Sequence, residues 1–350
     1  DPSRVGVIPD RKEKWMQAEY AMIPIDQKRL QVWEKAGINK EINLPGQNPY
    51  IPNQLTLQNT SFQEIPTLIH QDEGSEIYFL ADSYYRTPET VFIFQLKSPL
   101  FDQTPKAQVL ADLWSYALQD LLADDLSFAK DAGIQIELKL KPLEAIFYIQ
   151  GLSEKMPLFT KKVFQASKLV VCSQEKFQIY VSSLAANYEN ASKELPLCQA
   201  SEQMGGVIFD QPTSQQKLLA LQKTCLKDLC DFSERFSQCL YMQALLYGNL
   251  NQSLATELYR ELQTILAANP YSLQSQAKAK VLLLSDLHGP YKLAFETNRQ
   301  GAAALLLLQE GPFSFESWAI QQTLGQALQS AFFETLRTKQ QTAYIAKAWD

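Results

Sequence analysis

One order of elements is predicted twice in this 350-residue chain: a strand, a long amphipathic helix and a second strand. In the first copy, strands are predicted over 90–96 and 134–140, on either side of a helix over 105–132. The second copy is predicted as a strand over 303–308, a helix over 313–336 and a strand from 342 onward. Helices and strands that alternate in this way pack as a sheet covered by helices. The repeat therefore predicts an α+β fold with an internal duplication.

Local signals define the elements of the first copy. The run 90–96 (TVFIFQL) is rich in β-branched and aromatic residues, which is typical of a buried strand. Thr104 is a predicted N-cap and Pro105 the first residue of the helix, while Gly133 supplies its C-terminal stop. From 134 to 141 apolar and polar residues alternate, which predicts a strand with one buried face.

The chain divides into three parts. Residues 1–80 are irregular and rich in proline, and the segment 44–52 is predicted to be extended along the surface. Residues 81–238 are predicted to form a complete α+β domain. Residues 239–350 begin with a predicted strand over 241–246 and are predicted to be the first part of a second domain. Because this second copy ends within the strand after its helix, we expect the rest of that domain to be missing.

Composition indicates a soluble globular protein and disfavours several functional classes. The chain is 46% hydrophobic and 20% charged, with a net charge of −6. Nucleic-acid binding is disfavoured because it requires a concentrated basic face. A membrane span is disfavoured because no apolar run reaches about 18 residues. A disulfide scaffold is not indicated, because the five cysteines are odd in number and have no C-x-x-C spacing: Cys172, Cys198, Cys225, Cys230 and Cys239.

The two ends of the sequence predict an excised piece of a longer protein. The chain begins Asp1-Pro2-Ser3, without an initiator Met or a signal peptide, and it stops at Asp350. Its compartment is therefore unknown from targeting signals.

The residues predict neither a metal site nor a nucleophile in this chain. Catalytic zinc commonly takes three protein ligands, whereas His70 and His288 are the two histidines here. The run that starts at His70 (HQDEG) begins like H-x-x-E-H, but Gly74 occupies the position of the second histidine. His70 and His288 are both predicted in turns. The G-x-S-x-G and phosphate-binding glycine motifs are also absent from the sequence.

Arg337 and Tyr344 are the candidate catalytic residues. They flank the predicted joint between the last helix and the strand after it, so both can face one cleft and donate hydrogen bonds to a polarised carbonyl. A structural interpretation stays open beside this one. In that interpretation Arg337 complements the dipole at the helix C-terminus and Tyr344 is a core residue of the strand.

The run from Phe333 to Tyr344 (FETLRTKQQTAY) resembles the F-x-x-L-R-T-x-x-Q-L-G-Y segment of the insulinase (pitrilysin, protease III) metallopeptidases. Thr342 and Ala343 stand where Leu and Gly are usual. Three further stretches resemble the family in order and spacing: Lys14-Trp15-Met16, the segment 48–52 (NPYIP) and the turn 246–250 (LYGNL). The resemblance spans nearly the whole chain.

The resemblance implies repeated insulinase-type (LuxS/MPP-like metallohydrolase) domains, each an antiparallel-rich sheet packed against helices, with the second repeat truncated. It identifies residues 1–80 as the end of a preceding domain plus the linker between two halves of a clamshell. The zinc site, with its H-x-x-E-H motif, belongs to the absent N-terminal half, so no metal or other cofactor is expected here. Arg337 and Tyr344 are implied to reach across the cleft and stabilise the substrate carbonyl as it becomes an oxyanion.

The predicted function is the C-terminal portion of a zinc-dependent metalloendopeptidase that encloses peptides, inactive as this fragment alone. Its predicted partners are peptide substrates and the N-terminal half, with a dimer of the fragment as a further possibility. The bacterial periplasm follows by family analogy, with the cytoplasm as alternative. Two other functions stay open: a non-catalytic subunit that binds or scaffolds peptides, and a separate subunit of a two-chain enzyme.

Overall fold

The computed structural model describes residues 6–37, 46–59, 62–168, 170–285 and 289–348, in two compact units, Asp1–Pro49 and Tyr50–Asp350. In the first unit, β1 (Arg11–Lys12) and β2 (Glu19–Tyr20) form an antiparallel pair. Helix α1 (Gln27–Lys35) begins at Asp26, whose carboxylate accepts a hydrogen bond from the backbone N–H of Lys28.

The second unit is built on one mixed sheet. Its strands are β3 (Thr67–Gln71), β4 (Ser75–Ala81), β5 (Glu89–Lys97), β6 (Gln135–Lys141), β7 (Glu144–Leu152), β8 (Cys239–Gly248) and the short β9 (Asn269–Pro270). They are arranged in the order β3-β4-β8-β5-β7-β6, and β9 pairs with the first two residues of β8. Neighbouring strands are antiparallel, except that β8 runs parallel to β4 and to β9. The prediction of an antiparallel-rich sheet in an α+β fold is confirmed.

Helices pack on this sheet and continue beyond it. They are α2 (Pro105–Leu121), α3 (Ala123–Asp131), α4 (Met156–Lys168), α5 (Gln174–Ala191), α6 (Pro196–Ile208), α7 (Ser214–Leu221), α8 (Leu226–Phe236), α9 (Gln252–Leu266) and α10 (Phe315–Phe333), which continues as a π-helical segment, Glu334–Lys339. Two predicted N-caps are present. Thr104 accepts from the N–H of Ala107 at 3.3 Å, and Asn251 accepts from the N–H of Leu254 at 2.9 Å. Among the described residues no helix combines the length and hydropathy that a bilayer crossing requires.

The core lies between the helices and one face of the sheet. Alternate residues of β4, β5 and β8 are buried on this face, including Phe92 and Phe94. Trp114 of α2 packs on Phe236 of α8 with ring centroids 4.7 Å apart, and Phe94 meets Phe164 of α4 edge-on at 4.9 Å. Burial of such rings is the largest favourable contribution to a core of this kind.

Strand β8 brings parts of the chain that were predicted to be separate into one sheet. The strand predicted at the start of the second domain is present, but it lies inside the sheet, between β4 and β5. That one sheet therefore contains strands from residues 1–80, 81–238 and 239–350. A folding boundary at 238/239 would divide this sheet. The division of the chain into three parts is therefore a proposal about the duplication and about where the linker lies.

Gly248 allows β8 to pass close to β5. Its φ is +122°, a conformation that residues with a side chain rarely adopt. A Cβ atom built on Gly248 would overlap the carbonyl oxygen of Glu89 and lie 2.7 Å from the Cα of Thr90. The end of β8 is thus compatible with glycine alone.

The strands predicted in the second copy are wrong within residues 289–348, which the structure describes. Residues 303–308 and 342–348 have no strand partner, and Leu306 and Leu308 are each 82% exposed. A strand requires a neighbour to satisfy its backbone N–H and C=O groups, which local β-propensity cannot supply. The helix predicted over 313–336 is confirmed as α10 and its π-helical continuation.

An extended strap, residues 50–58, is fixed to the surface of the second unit. At its start the Tyr50 hydroxyl donates to Asp125 at 2.5 Å, and the Tyr50 ring meets Phe159 edge-on at 5.3 Å. Next, the backbone N–H groups of Asn53 and Gln54 both donate to Oε2 of Glu154 at 2.7 Å. The proline-rich stretch predicted over 44–52 has neither helix nor strand in its described residues, 46–52, and it turns at residues 49–50.

Asn249, directly after β8, holds the end of the strap. Its Oδ1 accepts from the N–H of Gln58 at 2.7 Å, while its Nδ2 donates to the carbonyl of Thr56 at 2.9 Å and to Ser153 Oγ at 2.8 Å. The side chain is 7% exposed, so each of these bonds satisfies a group shielded from water. The strap is therefore tied to the sheet through the residue that follows its central strand.

Replacing Gly248 with Ala should destabilise the protein by about 3 kcal/mol, because overlap with β5 adds to an unfavourable φ. Gly205→Ala inside α6 is the matched control, since the nearest non-neighbouring atom would lie 3.8 Å from its Cβ. That control should be neutral or more stable by about 0.5–1 kcal/mol. Urea unfolding followed by circular dichroism measures both, and equal stabilities of the two variants would contradict the close approach.

The strap should loosen in acid. Backbone hydrogen bonds from Gln54, with the ammonium of Lys155 and the N–H of Asn53, lower the pKa of Glu154 from its ordinary 4.5 to about 2. A carboxyl with a depressed pKa in the folded state stabilises the fold fully above its ordinary pKa, and this contribution is lost as the pH falls towards the depressed value. Amide exchange protection at Asn53 and Gln54 should therefore decrease between about pH 4.5 and 2.

The variant Glu154→Gln should already show low protection of those two amides at pH 7 and a weaker dependence on acid. Glu189→Gln, at an exposed carboxylate of α5, is the control and should behave as the unmodified chain. Undiminished protection in Glu154→Gln would show that another contact holds the strap.

Candidate functional site

Arg337 and Tyr344 lie together at the end of α10. The guanidinium carbon of Arg337 is 4.4 Å from the centroid of the Tyr344 ring and 5.0 Å from that of Phe333. The cation is therefore held between two aromatic rings, one from the helix and one from the segment that follows it. Such stacking fixes the direction of a guanidinium without using its N–H donors.

The local backbone explains how residues seven positions apart come together. Over Glu334–Lys339 the helix widens to π-helical hydrogen bonding, and the N–H of Gln340 donates to the carbonyl of Thr335 at 2.9 Å. Gln341 then has a left-handed φ of +52°. This reverses the chain so that Tyr344 returns over Arg337. Single π-helical turns are frequent at functional sites, because they redirect side chains at the end of a regular helix.

Thr342 contributes to this reversal, although the family pattern has Leu there. Its backbone N–H and its hydroxyl both donate to the carbonyl of Leu336, at 2.9 and 3.0 Å. The sequence showed that Thr342 replaces the usual Leu, but not that this residue would form these hydrogen bonds. A short polar side chain can satisfy a carbonyl left free at a helix end, so a threonine at this position was the signal in the sequence that could have predicted them.

The polar groups of Arg337 and Tyr344 are free to meet a ligand. Tyr344 is 81% exposed and Arg337 is half-buried. Within the described residues neither the guanidinium nor the phenol makes a hydrogen bond or an ion pair with another side chain. Together they supply N–H and O–H donors at one place on the surface, which is the arrangement that a developing oxyanion requires. Tyr344 lies outside any core strand, so that part of the structural interpretation is wrong, whereas Arg337 does lie in the last turn of the helical segment, where it can complement the dipole.

A second feature is the face of the sheet turned away from the core, which we call the open face. Its side chains form cross-strand rows over β4, β8, β5, β7 and β6: Leu80–Tyr247–Val91–Gln150–Gln135, Tyr78–Leu245–Ile93–Tyr148–Glu137 and Glu76–Gln243–Gln95–Ile146–Lys139. Most of these side chains are half-buried or exposed, whereas the opposite face is buried. Rows of aromatic, amide and charged groups give a broad surface with both apolar and polar contacts.

Glu76 is the centre of a hydrogen-bond network on the open face. Its Oε1 accepts from the Tyr78 hydroxyl at 2.8 Å, and its Oε2 accepts from Gln243 Nε2 at 2.8 Å. The Tyr241 hydroxyl lies 3.4 Å from the same Oε2. Sequence reasoning did not select this residue, because its partners on β8 are more than 160 positions away.

His70 is at the end of β3 rather than in the predicted turn. Its Nε2 is 2.9 Å from Asp72 Oδ2, and its ring packs on Tyr259 of α9 at 4.5 Å. The second histidine, His288, lies outside the described residues. In the part of the chain that the structure describes, no group of three or more His, Cys, Asp or Glu side chains could hold a metal ion. These residues therefore do not fit a zinc site.

The unit also has a cavity of about 180 Å³, bounded by Phe101, Gln108, Leu140 and the ion pair of Asp112 with Lys217. Tyr188 donates to the same carboxylate of Asp112, at 2.5 Å. Neither candidate catalytic residue lines this cavity. The charged groups that line it already have partners, Asp112 with Lys217, Lys141 with Glu144 and Asp102 with Thr104, which indicates a structural role.

Comparison with known proteins gives a single family. Residues 3–221 match the model described as the middle or third domain of peptidase M16. The insulin-degrading enzyme of Bos taurus is 22% identical over 344 residues, which is 96% of this chain and 34% of that protein. Nardilysin of Rattus norvegicus is also 22% identical, over 96% of this chain and 29% of its own length. The chain spans about a third of the length of these curated relatives.

A solved structure has the same fold. The crystal structure of pitrilysin superposes with a TM-score of 0.79 at 17% identity, covering 96% of this chain and 36% of that one. The match extends over nearly all of this chain.

Proposed function

The chain belongs to the M16 peptidase family, and we propose that it is the middle and C-terminal portion of a zinc-dependent metalloendopeptidase that encloses and hydrolyses peptides. The observation that carries this proposal is the contact between Arg337 and Tyr344. The guanidinium carbon lies 4.4 Å from the centroid of the tyrosine ring, and the donor groups of both side chains are open to solvent. Peptide hydrolysis is accelerated by hydrogen-bond donors aimed at the carbonyl oxygen that becomes negative. These two side chains are suited to that task.

The chemistry of this part follows from the two donors. As water adds to the scissile carbonyl, negative charge grows on its oxygen, and a fixed cation with a phenol O–H stabilises that charge more than the neutral carbonyl. The stack between Phe333 and Tyr344 holds the guanidinium in place beforehand, so little reorganisation is needed in the transition state. In this proposal Arg337 and Tyr344 bind the oxyanion and neither transfers a covalent group.

We place the zinc ion in the N-terminal half of the full-length protein, outside this chain. The described residues offer no suitable ligand group, whereas the family is one of peptidases. When bound, zinc would activate the attacking water. This chain alone is therefore expected to be inactive, and its partners are expected to be the N-terminal half and peptide substrates.

The open face of the sheet is the proposed chamber wall. A face with half-buried Tyr78, Ile93, Tyr148, Leu245 and Tyr247 can contact an unfolded peptide through apolar and hydrogen-bonding groups without selecting one sequence. A bacterial periplasmic location and a dimer of the fragment follow only from family analogy and from uncovered sheet edges. They remain proposals.

In the full-length protein, Tyr344→Phe should lower kcat by about 10²-fold while KM changes little, because it removes one donor to the oxyanion. The ring and its contact with Arg337 are retained, so the geometry of the cation should survive. Steady-state hydrolysis of an internally quenched fluorescent peptide measures both constants. An unchanged kcat would remove Tyr344 from the transition state.

Two companion variants separate chemistry from packing. Arg337→Lys should also lower kcat, because an ammonium cannot reproduce the stacked, multidentate guanidinium. Phe333→Leu removes one ring of the stack but no donor, so it should lower kcat less than either donor variant. If Phe333→Leu were as damaging as Tyr344→Phe, packing rather than hydrogen bonding would explain the loss.

The runner-up function is a non-catalytic subunit that binds peptides. It predicts that the coding sequence upstream of this chain has a degenerate H-x-x-E-H motif, whereas an intact motif with a downstream Glu supports the enzyme. It also predicts that the full-length protein binds peptides without cleaving them, with or without added zinc.

A further inference from the structure

Four carboxylates of the strands lie on the open face, Glu76, Glu89, Glu137 and Glu144, and the last two are paired with lysines. Glu89 is exposed at the start of β5. Glu137 is 3.2 Å from the ammonium of Lys139, and Glu144 is 3.1 Å from that of Lys141. Glu76 differs from both. Among the residues that the structure describes, no Lys, Arg or His nitrogen lies within 4.0 Å of its carboxylate.

Neutral groups hold Glu76 in one orientation. Gln243 is its cross-strand partner and donates to Oε2, while Tyr78, two residues along the same strand, donates to Oε1. A carboxylate has about four acceptor sites, so these bonds and the longer one from Tyr241 leave acceptor capacity unused. The charge is therefore oriented but not compensated.

The phenols remain donors across the physiological pH range. The hydrogen bond to Glu76 raises the pKa of Tyr78, and burial together with the charge of Glu76 raises that of Tyr241. Lys97, on the neighbouring strand β5, does not neutralise Glu76. Lys97 is opposite Tyr241 in the register of β5 and β8, and its ammonium donates to Gln276 Oε1 at 3.3 Å.

A half-buried carboxylate without a counter-ion is unfavourable unless a ligand completes it. Tyr78 is half-buried beside Glu76, and the face of an aromatic ring attracts cations, whereas Tyr241 is 4% exposed and contributes its hydroxyl. The charge of Glu76 and the ring of Tyr78 thus favour a positively charged group arriving from the open side of the sheet.

We propose that Glu76, with Tyr78, Tyr241 and Gln243, forms a subsite for the Lys or Arg side chain of an extended peptide lying on the open face. This inference rests on the proposed function, in which that face contacts peptide substrates. The subsite selects a side chain rather than the scissile bond, so it determines specificity and is separate from the Arg337 and Tyr344 pair.

The test measures binding of two N-acetylated, C-amidated peptides to the 350-residue chain by fluorescence anisotropy. They are identical except that one has a central Lys and the other norleucine, which has a similar length and no charge. The Lys peptide should bind about tenfold more tightly, which corresponds to about 1.4 kcal/mol. The advantage should decrease with added salt. A third peptide, with norleucine and a free N-terminus, shows whether a terminal ammonium can occupy the subsite instead.

Variants assign the preference to Glu76. Glu76→Gln should abolish the preference for Lys and leave the affinity for the norleucine peptide unchanged. Glu137→Gln is the matched control, because it removes a carboxylate of the same face that already has a cation, and it should keep the preference. Circular dichroism confirms that each variant is folded.

Each outcome has a separate meaning. Equal affinity of the unmodified chain for the Lys and norleucine peptides would overturn the subsite even if no variant folded, while peptide binding by the open face would stand. Binding of neither peptide would overturn the subsite together with the proposal that this face contacts peptides. A preference that persists in Glu76→Gln would place the cation elsewhere and also overturn the assignment.

Discussion

The insertion of β8 between β4 and β5 is the constraint on which the rest of the second unit depends. It runs parallel to one neighbour and antiparallel to the other, and its last residue, Gly248, approaches β5 too closely for any side chain. Without β8 the strands of residues 75–97 would have no common sheet. The core face, the open face and the anchoring of the strap through Asn249 all follow from this one strand being in register. The cost is a long loop closure, which the burial of the aromatic core must offset.

The sequence predicted what depends on neighbours in the chain. The N-caps at Thr104 and Asn251, the alternation in β6 and the existence of α10 follow from local chemistry, and the structure has them. Pairing is different, because a strand is completed by residues that sequence periodicity does not identify. The segment 241–246 has a partner on each side, whereas 303–308, with equally strong apolar character, has none among the described residues. The boundary predicted at 238/239 falls directly before this strand, which lies between β4 and β5 in the sheet.

For the candidate catalytic pair, the sequence identified the residues but not the backbone geometry that brings them together. Their position at the end of a predicted helix, and then the family resemblance, selected Arg337 and Tyr344, and the structure places them in contact. The reason for that contact could not be predicted from the sequence. It lies in the π-helical turn, the left-handed Gln341 and the two bonds from Thr342 to one carbonyl. Glu76 could not have been selected at all, because its partners Tyr241 and Gln243 reach it only through the register of β4 with β8.

The two proposed sites have opposite charge, and this fits the different parts of a peptide that they would meet. Every peptide bond has a carbonyl oxygen, so cationic and hydroxyl donors at Arg337 and Tyr344 would act on any sequence. Only some residues carry a positive charge, so a carboxylate at Glu76 would distinguish among peptides. A chamber that cleaves many sequences gains from keeping these tasks apart, because a change in the specificity group then leaves transition-state stabilisation unaltered.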